Sequence, residues 1–283
     1  MDWARAKNIL ILIFVLLNLF LLSMMTDLFN FDNISGEAID STLKVLKDRG
    51  IIVNCEIPVY NKPIGTLISS DTMFDKDLII KCFFGDEKYI EDDLGTGIMA
   101  VCGNKELMID KANTFVYKNK APKEPIDLNN VKAVHSYLTD LFKGLDVSFE
   151  KFHIDRVEEL PDGQKNYIFR QKKDGFWLYS NYVYITISKS GIIYLKYNMR
   201  NVDEFTKGQK IMPAYQVLIK NLIHDKGTVL EKIDVGFGEQ FMGEDTKVLD
   251  DLPVWRITLR KDAKIEERYY KVYNGEEVKL NVK

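Results

Sequence analysis

Histidine and cysteine are scarce in this chain, with three of each among 283 residues. His135, His153 and His224 lie far apart, and none stands four residues from another, the spacing at which two imidazoles reach one metal ion from a helix. The sequence contains no HExxH, no GxSxG and no Walker loop, which removes the motif-borne zinc hydrolases, serine hydrolases and P-loop nucleotide enzymes. Cys55, Cys82 and Cys102 form no CxxC pair, and an odd number leaves at least one thiol outside any bridge. A disulfide framework is thereby excluded, while a single Cys82–Cys102 bridge stays open at this level. Charge of one sign is lacking too: 39 basic residues face 42 acidic ones for a net −3. Without a concentrated basic face the chain offers nucleic acid no footing.

Chemistry carried by pairs is equally thin. Glu158-Glu159, Asp250-Asp251 and Glu276-Glu277 are adjacent acids placed in turns, where neighbouring side chains diverge rather than aim two carboxylates at one atom. They are expected to be solvated surface. The run Asp92-Asp93-Leu-Gly-Thr-Gly97 lacks the Lys-Ser/Thr and the helix that a phosphate loop needs, and so is expected to be a solvated turn. Aromatic clusters at Phe176, Trp177, Tyr179, Tyr182 and Tyr184, and at Tyr269, Tyr270 and Tyr273, fit cross-strand core pairs better than a ligand platform. No catalytic constellation and no cofactor or metal site emerges.

What the sequence does have is one long apolar run, residues 9–25, unbroken by charge. With its flanks it reaches the short end of bilayer-spanning length. Trp3, Arg5 and Lys7 precede it as interfacial anchors, Asp27 and Asp32 follow it, and the next basic residue is Lys44. Positive charge before the first helix retains that end in the cytoplasm and sends the rest outside. The exit, Leu22-Ser23-Met24-Met25-Thr26-Asp27, has no A-x-A site and no lipobox cysteine, which favours an uncleaved anchor over a signal peptide. Asn18 lies mid-span, where an amide either hydrogen-bonds a neighbouring helix or is simply tolerated. Asn18 and Ser23 are the candidate helix-contact residues. The reading is therefore 1–8 cytoplasmic tail, 9–25 transmembrane helix, 26–35 spacer, 36–124 first extracytoplasmic lobe and 125–283 second lobe.

Beyond the anchor, apolar spacing predicts helices at 36–47, 128–142 and 211–224. Each is followed by a basic residue and a glycine (Gly50, Gly144, Gly227) that suits a left-handed cap. Alternation predicts strands at 53–59, 78–84 and 114–117. Residues 118–127, with two prolines and no core pattern, are the best joint between lobes. The clearest hairpins are 182–197, turning at Ser188–Gly191, and 269–280, turning at Asn274-Gly275. Helices among sequential hairpins imply an α+β fold of antiparallel sheets with helices packed on one side.

The opening Met1-Asp2-Trp3-Ala-Arg5-Ala-Lys7, followed by an apolar helix containing Asn18-Leu-Phe20-Leu, resembles the start of YycI-type proteins. Similarity continues at residues 46–58, at Gly175-Phe-Trp-Leu-Tyr179, at 213–222, at Val235-Gly-Phe237, and from Pro253-Val-Trp255 through Tyr269-Tyr270 to Asn274-Gly275. It does not extend to residues 71–113. The resemblance implies a non-enzymatic adaptor of Gram-positive bacteria, from the YycH/YycI regulators of the WalK–WalR (YycG–YycF) two-component system. Its implied partners are a WalK/YycG-like sensor histidine kinase and a YycH-like regulator, met through transmembrane helices. The rival reading is an extracytoplasmic binding module for a cell-wall or peptide ligand.

Overall fold

The computed structural model describes residues 3–29, 31–60, 62–72, 75–110, 114–145, 149–240, 250–262 and 264–280, with backbone alone at 4–6, 23–29 and 31–35. In chain order, helix α1 (Trp3–Phe29) is followed after one residue by α2 (Phe31–Asp48), then β1 (Ile52–Val53), β2 (Leu67–Asp71) and α3 (Lys76–Phe84). Next come β3 (Ile90–Asp93), β4 (Gly97–Cys102), β5 (Lys105–Asp110), β6 (Thr114–Asn119) and α4 (Val131–Lys143). Strands β7 (Phe152–Glu159), β8 (Lys165–Lys173), β9 (Phe176–Ser188), β10 (Gly191–Asn198) and β11 (Arg200–Phe205) precede α5 (Ala214–Asn221). The chain closes with β12 (Val229–Glu239), β13 (Asp250–Lys261), β14 (Lys264–Lys271) and β15 (Glu277–Val278).

The strands join in one sheet ordered β11-β2-β13-β12-β9-β10-β6-β5-β4-β3, with β14–β15 added beside β13 and β7–β8 beside β9. This is the expected α+β class, dominated by sheet. Most pairs are antiparallel, but two are parallel, β1 with β12 and β12 with β9, a departure from the all-antiparallel expectation. Strand β9 is the seam. Strand β8 runs along one edge of it, while β12 and then β10 share the other.

Where β9 passes from β12 to β10 its register against β8 jumps, so that Arg170 faces Tyr182 but Gln171 faces Leu178. Side chains bond the backbone freed there: Arg170 Nη1 donates to the Tyr179 carbonyl at 2.6 Å and the Asn198 amide donates to the Ser180 carbonyl. The side chains of the same stretch tie in the neighbouring strands. The Asn181 amide donates to Gln171 Oε1 and to the Arg200 carbonyl and accepts from the Arg200 N–H, all at 2.9 Å, and Ser180 Oγ accepts from the Glu239 N–H at 2.8 Å. A buried bulge is stable only when its polar groups are so paired.

Two apolar clusters sit on this frame. One packs α3 and α4 on the β4–β6, β8–β10 portion, through Phe83, Val134, Leu138, Phe142, Leu107 and Tyr197 among others. The other packs α2 and α5 on β12 and β13, through Leu46, Val217, Leu218, Leu230, Ile257 and Trp255. The Trp255 indole N–H, buried there, donates to the Met212 carbonyl at 2.9 Å. Residues 118–127, read as a joint, lead from β6 into a loop whose Ile126 and the following Leu128 are buried in the first cluster.

Several expectations are corrected. The segment 78–84 is helical, not a strand: Asp75 Oδ1 caps it by accepting from the Asp77 and Leu78 N–H groups, and Ile79, Ile80, Phe83 and Phe84 bury one helical face. The strand expected at 53–59 pairs only over Ile52–Val53, since after the Asn54 N–H bonds the Leu230 carbonyl the chain leaves the ladder ahead of Pro58. The helix expected at 211–224 is shorter, starting after Pro213. Gly50 and Gly227 take positive φ, but Gly144 is right-handed at −64°. Val131, the first residue of α4, is 42% exposed. The three thiols are free: Cys82 donates to the Leu141 carbonyl and Cys102 to a Glu87 carboxylate oxygen.

Candidate functional site

Helix α1 carries the residues expected to act. Its side chains from Ile9 to Leu22 stand in the open, with Phe14 65% exposed and Asn18 in their midst. Water would strip such a helix of any reason to form alone, since it exposes apolar groups on every side. The Asn18 amide donates to the Phe14 carbonyl one turn back, at 2.8 Å. That bond uses one of its two N–H groups, while the side chain also carries an acceptor oxygen. Trp3 is 84% exposed and Lys7 is exposed. Ser23 and Arg5 lie on the backbone of α1, with their side chains outside the described residues. Among the described residues no helix is long and apolar enough to cross a membrane. The contiguous side chains of α1, 7–22, span about 24 Å at about 1.5 Å per residue, against a hydrocarbon core of about 30 Å.

One residue after α1, α2 begins and docks on α5. Leu46 is buried, and Ile39 and Leu43 pack against the same cluster as Val217 and Leu218.

The electrostatic centre of the domain is a buried charge cluster where the β7–β8 hairpin meets β12–β14. The Arg256 guanidinium straddles two carboxylates. Its Nε and Nη2 donate to Asp234 at 2.9 and 2.7 Å, and Nη2 and Nη1 donate to Asp155. Nη1 also reaches Glu267 Oε1 at 3.1 Å. Arg170 Nε donates to Asp155 Oδ2 at 3.0 Å and its Nη1 to the Tyr179 carbonyl at 2.6 Å. Lys232 Nζ bridges Asp155 and Asp234 at 3.1 and 3.0 Å. Arg156 Nη1 also donates to Glu267 Oε1 at 3.1 Å, so four cations face Asp155, Asp234 and Glu267. Burial alone would push the Asp155 carboxyl up, but the bonded Arg256, with Arg170 and Lys232, outweighs it and holds the group well below the usual carboxylate range. Donors and acceptors consumed in this way are structural. A general acid or nucleophile would need a free valence aimed at open space.

The Asp250-Asp251 pair, expected as surface, is corrected on its second member. Asp251 lies buried in β13 and accepts from Arg200 Nη1 at 2.5 Å. Burial raises its carboxyl to about 6, against the pull of Arg200, with Glu239 and Asp250 adding to the rise. A folded value above the unfolded one of about 3.9 means the folded state binds this proton first. Its contribution to stability is then fully present below about pH 4 and lost as pH rises through about 6. In denaturant unfolding, the Asp251→Asn variant should lack this component, so the difference in stability between wild type and variant shifts toward wild type from pH 7 to pH 5. A difference that is flat over that range would contradict the assignment.

Glu158-Glu159, expected in a turn, instead close strand β7. Trp177, Tyr179, Tyr182, Tyr269 and Tyr270 are buried core rather than a platform. Asp93 and Gly97 bracket an exposed hairpin turn, where Asp93 Oδ1 accepts from the Gly95 N–H. His135 lies on α4, His153 on β7 and His224 beyond α5, and among the described residues no group of three metal-ligating side chains converges. Burial pushes the Cys55 thiol up to about 11, away from reactivity. The charge cluster went unforeseen because its members come from five strands. Its one trace in the sequence is Arg256, set among Trp255, Ile257 and Leu259 in a strand whose faces both prove buried.

The fold belongs to a shared architecture. A crystal structure of an uncharacterized protein from Eubacterium rectale superposes with a TM-score of 0.52 at 12% identity, over 82% of this chain and 91% of that one. The Bacillus megaterium YpeB C-terminal domain and YycH from Bacillus subtilis each give 0.42 at 12% identity over 75% of this chain. They are covered to 98% and 53% respectively, so the chain spans about half of YycH. No curated protein matches the sequence. The model of the family described as YycI protein matches residues 30–273, and the chain belongs to that family.

Proposed function

We propose that this protein is a non-catalytic regulator of a WalK (YycG)-like sensor histidine kinase, acting with a YycH-like partner. It is held in the cell membrane by α1, with the N-terminus in the cytoplasm and the sheet domain outside. The observation that carries this reading is the all-round apolar, exposed surface of α1 joined within one residue to a helix docked in the core. Family membership supports the choice of partners. Trp3, Arg5 and Lys7 hold the helix end at the interface, while Asn18 and Ser23 contribute contacts to partner helices. A packing that differs between two kinase states biases their equilibrium, by no more than the difference in affinity for the two.

The test is affinity capture of the intact protein from membranes, beside a version whose residues 9–25 are replaced by an unrelated apolar helix. Recovery of a sensor kinase and a second single-pass regulator, lost on replacement, is the expected result. Partners unchanged by the replacement would move the interaction to the sheet domain. Within the native helix, Asn18→Leu should weaken partner association about three- to thirtyfold, the equivalent of roughly 0.6–2 kcal/mol for an interhelical amide bond. Resonance energy transfer between labelled helices in vesicles would read it.

A further inference from the structure

One unassigned space lies at the end of the sheet between α3, α4 and the loop that follows β6. It is a cavity of about 410 Å³, within the roughly 300–1,000 Å³ typical of small-molecule sites. Its apolar wall is built from Phe83 and Tyr117, stacked at 4.4 Å between centroids, with Leu141 and Ile192. Its polar lining carries both signs. Glu87 accepts from Lys105 Nζ at 2.7 Å on one side, and Glu124 accepts from the Tyr137 hydroxyl at 2.9 Å on another, with Lys123 beside it. The Lys105 ammonium, and then the Cys102 thiol, hold the Glu87 carboxyl below its ordinary range, so it is ionised at neutral pH. These pairs leave capacity over. A carboxylate offers about four acceptor sites and an ammonium three donors, of which the internal bonds use only a part.

The lining selects by exclusion. An anion would meet Glu87 and Glu124, a cation would meet Lys105 and Lys123, and a purely apolar molecule would strand both pairs out of water. A small molecule carrying one ammonium, one carboxylate and an apolar body satisfies all three surfaces. We infer that this cavity binds a free zwitterionic peptide of about two residues, its amine on Glu87 or Glu124, its carboxylate on Lys105 or Lys123, and its side chain on the Phe83–Tyr117 stack. This site is separate from α1 and does not depend on the kinase reading.

The experiment is calorimetric titration of the full-length protein in detergent with alanyl-tyrosine, N-acetyl-alanyl-tyrosine and alanyl-tyrosinamide. Saturable binding of the free dipeptide is expected with Kd between about 10 μM and 1 mM. Each blocked form should bind at least tenfold more weakly, a loss of one charge-assisted contact. In Lys105→Met, blocking the carboxylate, and in Glu87→Gln, blocking the amine, should cost much less than in the unaltered site, the signature of a pairwise contact. Ala121→Trp, at an exposed point of the rim, should abolish binding while leaving the thermal unfolding transition in place. Cys82, in the cavity wall, gives a second readout. Bound dipeptide should slow its alkylation relative to the same protein without dipeptide. No saturation by about 10 mM dipeptide, or binding that Ala121→Trp leaves intact, overturns the inference.

Discussion

Replacing Asp155 by asparagine should cost the folded domain about 3–5 kcal/mol, the penalty for leaving buried charge uncompensated. The side chain of Asp155 is 2% exposed, and that of Arg170, one of its partners, is 0%. Asparagine is nearly isosteric, so packing survives while Arg256, Arg170 and Lys232 are left with Asp234 and with Glu267, which Arg156 also engages. Urea unfolding followed by tryptophan fluorescence measures the loss. The pH dependence separates charge from packing. A carboxyl held below its unfolded value contributes stability that is present above that value, about 3.9, and lost as pH falls through the folded one. The gap between wild type and variant should therefore be constant from neutral pH to about pH 5 and close only in stronger acid. A loss below about 1 kcal/mol would mean that Asp234 and Glu267 suffice to hold the cluster.

Gly236→Val should be comparably damaging for a different reason. Strands β12 and β9 meet over just Gly236–Trp177 and Phe237–Leu178. A Cβ at Gly236 would lie 2.8 Å from the Tyr179 ring and closer still to the Trp177 carbonyl oxygen. Backbone cannot yield there without separating the strands, so the cost should be about 3 kcal/mol or more, the upper range for overpacking. Its fingerprint is local. Amide hydrogen exchange should accelerate along β9 and β12 before it does in β4–β6, as the sheet opens at its seam. Uniform acceleration across the sheet would show that the seam has no weakness of its own.

Elements whose stability is local were legible in the sequence. The 182–197 hairpin, the Asn274-Gly275 turn and the helices around residues 36–47 and 128–142 rest on period and turn chemistry that short windows contain. Residues 78–84 misled because Leu78, Ile80 and Cys82 alternate with charged or apolar neighbours as a strand would. The deciding signal was Asp75, three residues upstream of the apolar run. Asp251 and Arg200 are 51 positions apart and Asp155 and Arg256 are 101, and no single-sequence pattern announces such partners. The apolar helix was plain in the sequence. The cavity was not, since Glu87, Lys105, Tyr117 and Tyr137 become neighbours only when α3, α4 and the sheet end are assembled.

The order of strands carries a consequence for how the chain reaches this state. Strand β1 pairs with β12, and β2 lies between β11 and β13. Residues synthesised early thus wait for partners made about 130–185 positions later, and closing such loops before any contact is gained is what slows folding. A chain made amino end first can complete the β3–β6 meander on its own. It cannot seat α2 until α5, β12 and β13 have followed. During that interval the inner faces of α2 and β2 stand uncovered, the state in which unpaired edges aggregate. The docked helix at the head of the domain is thus among the last parts to find its place, and its docking marks the point at which the whole length of the chain has arrived.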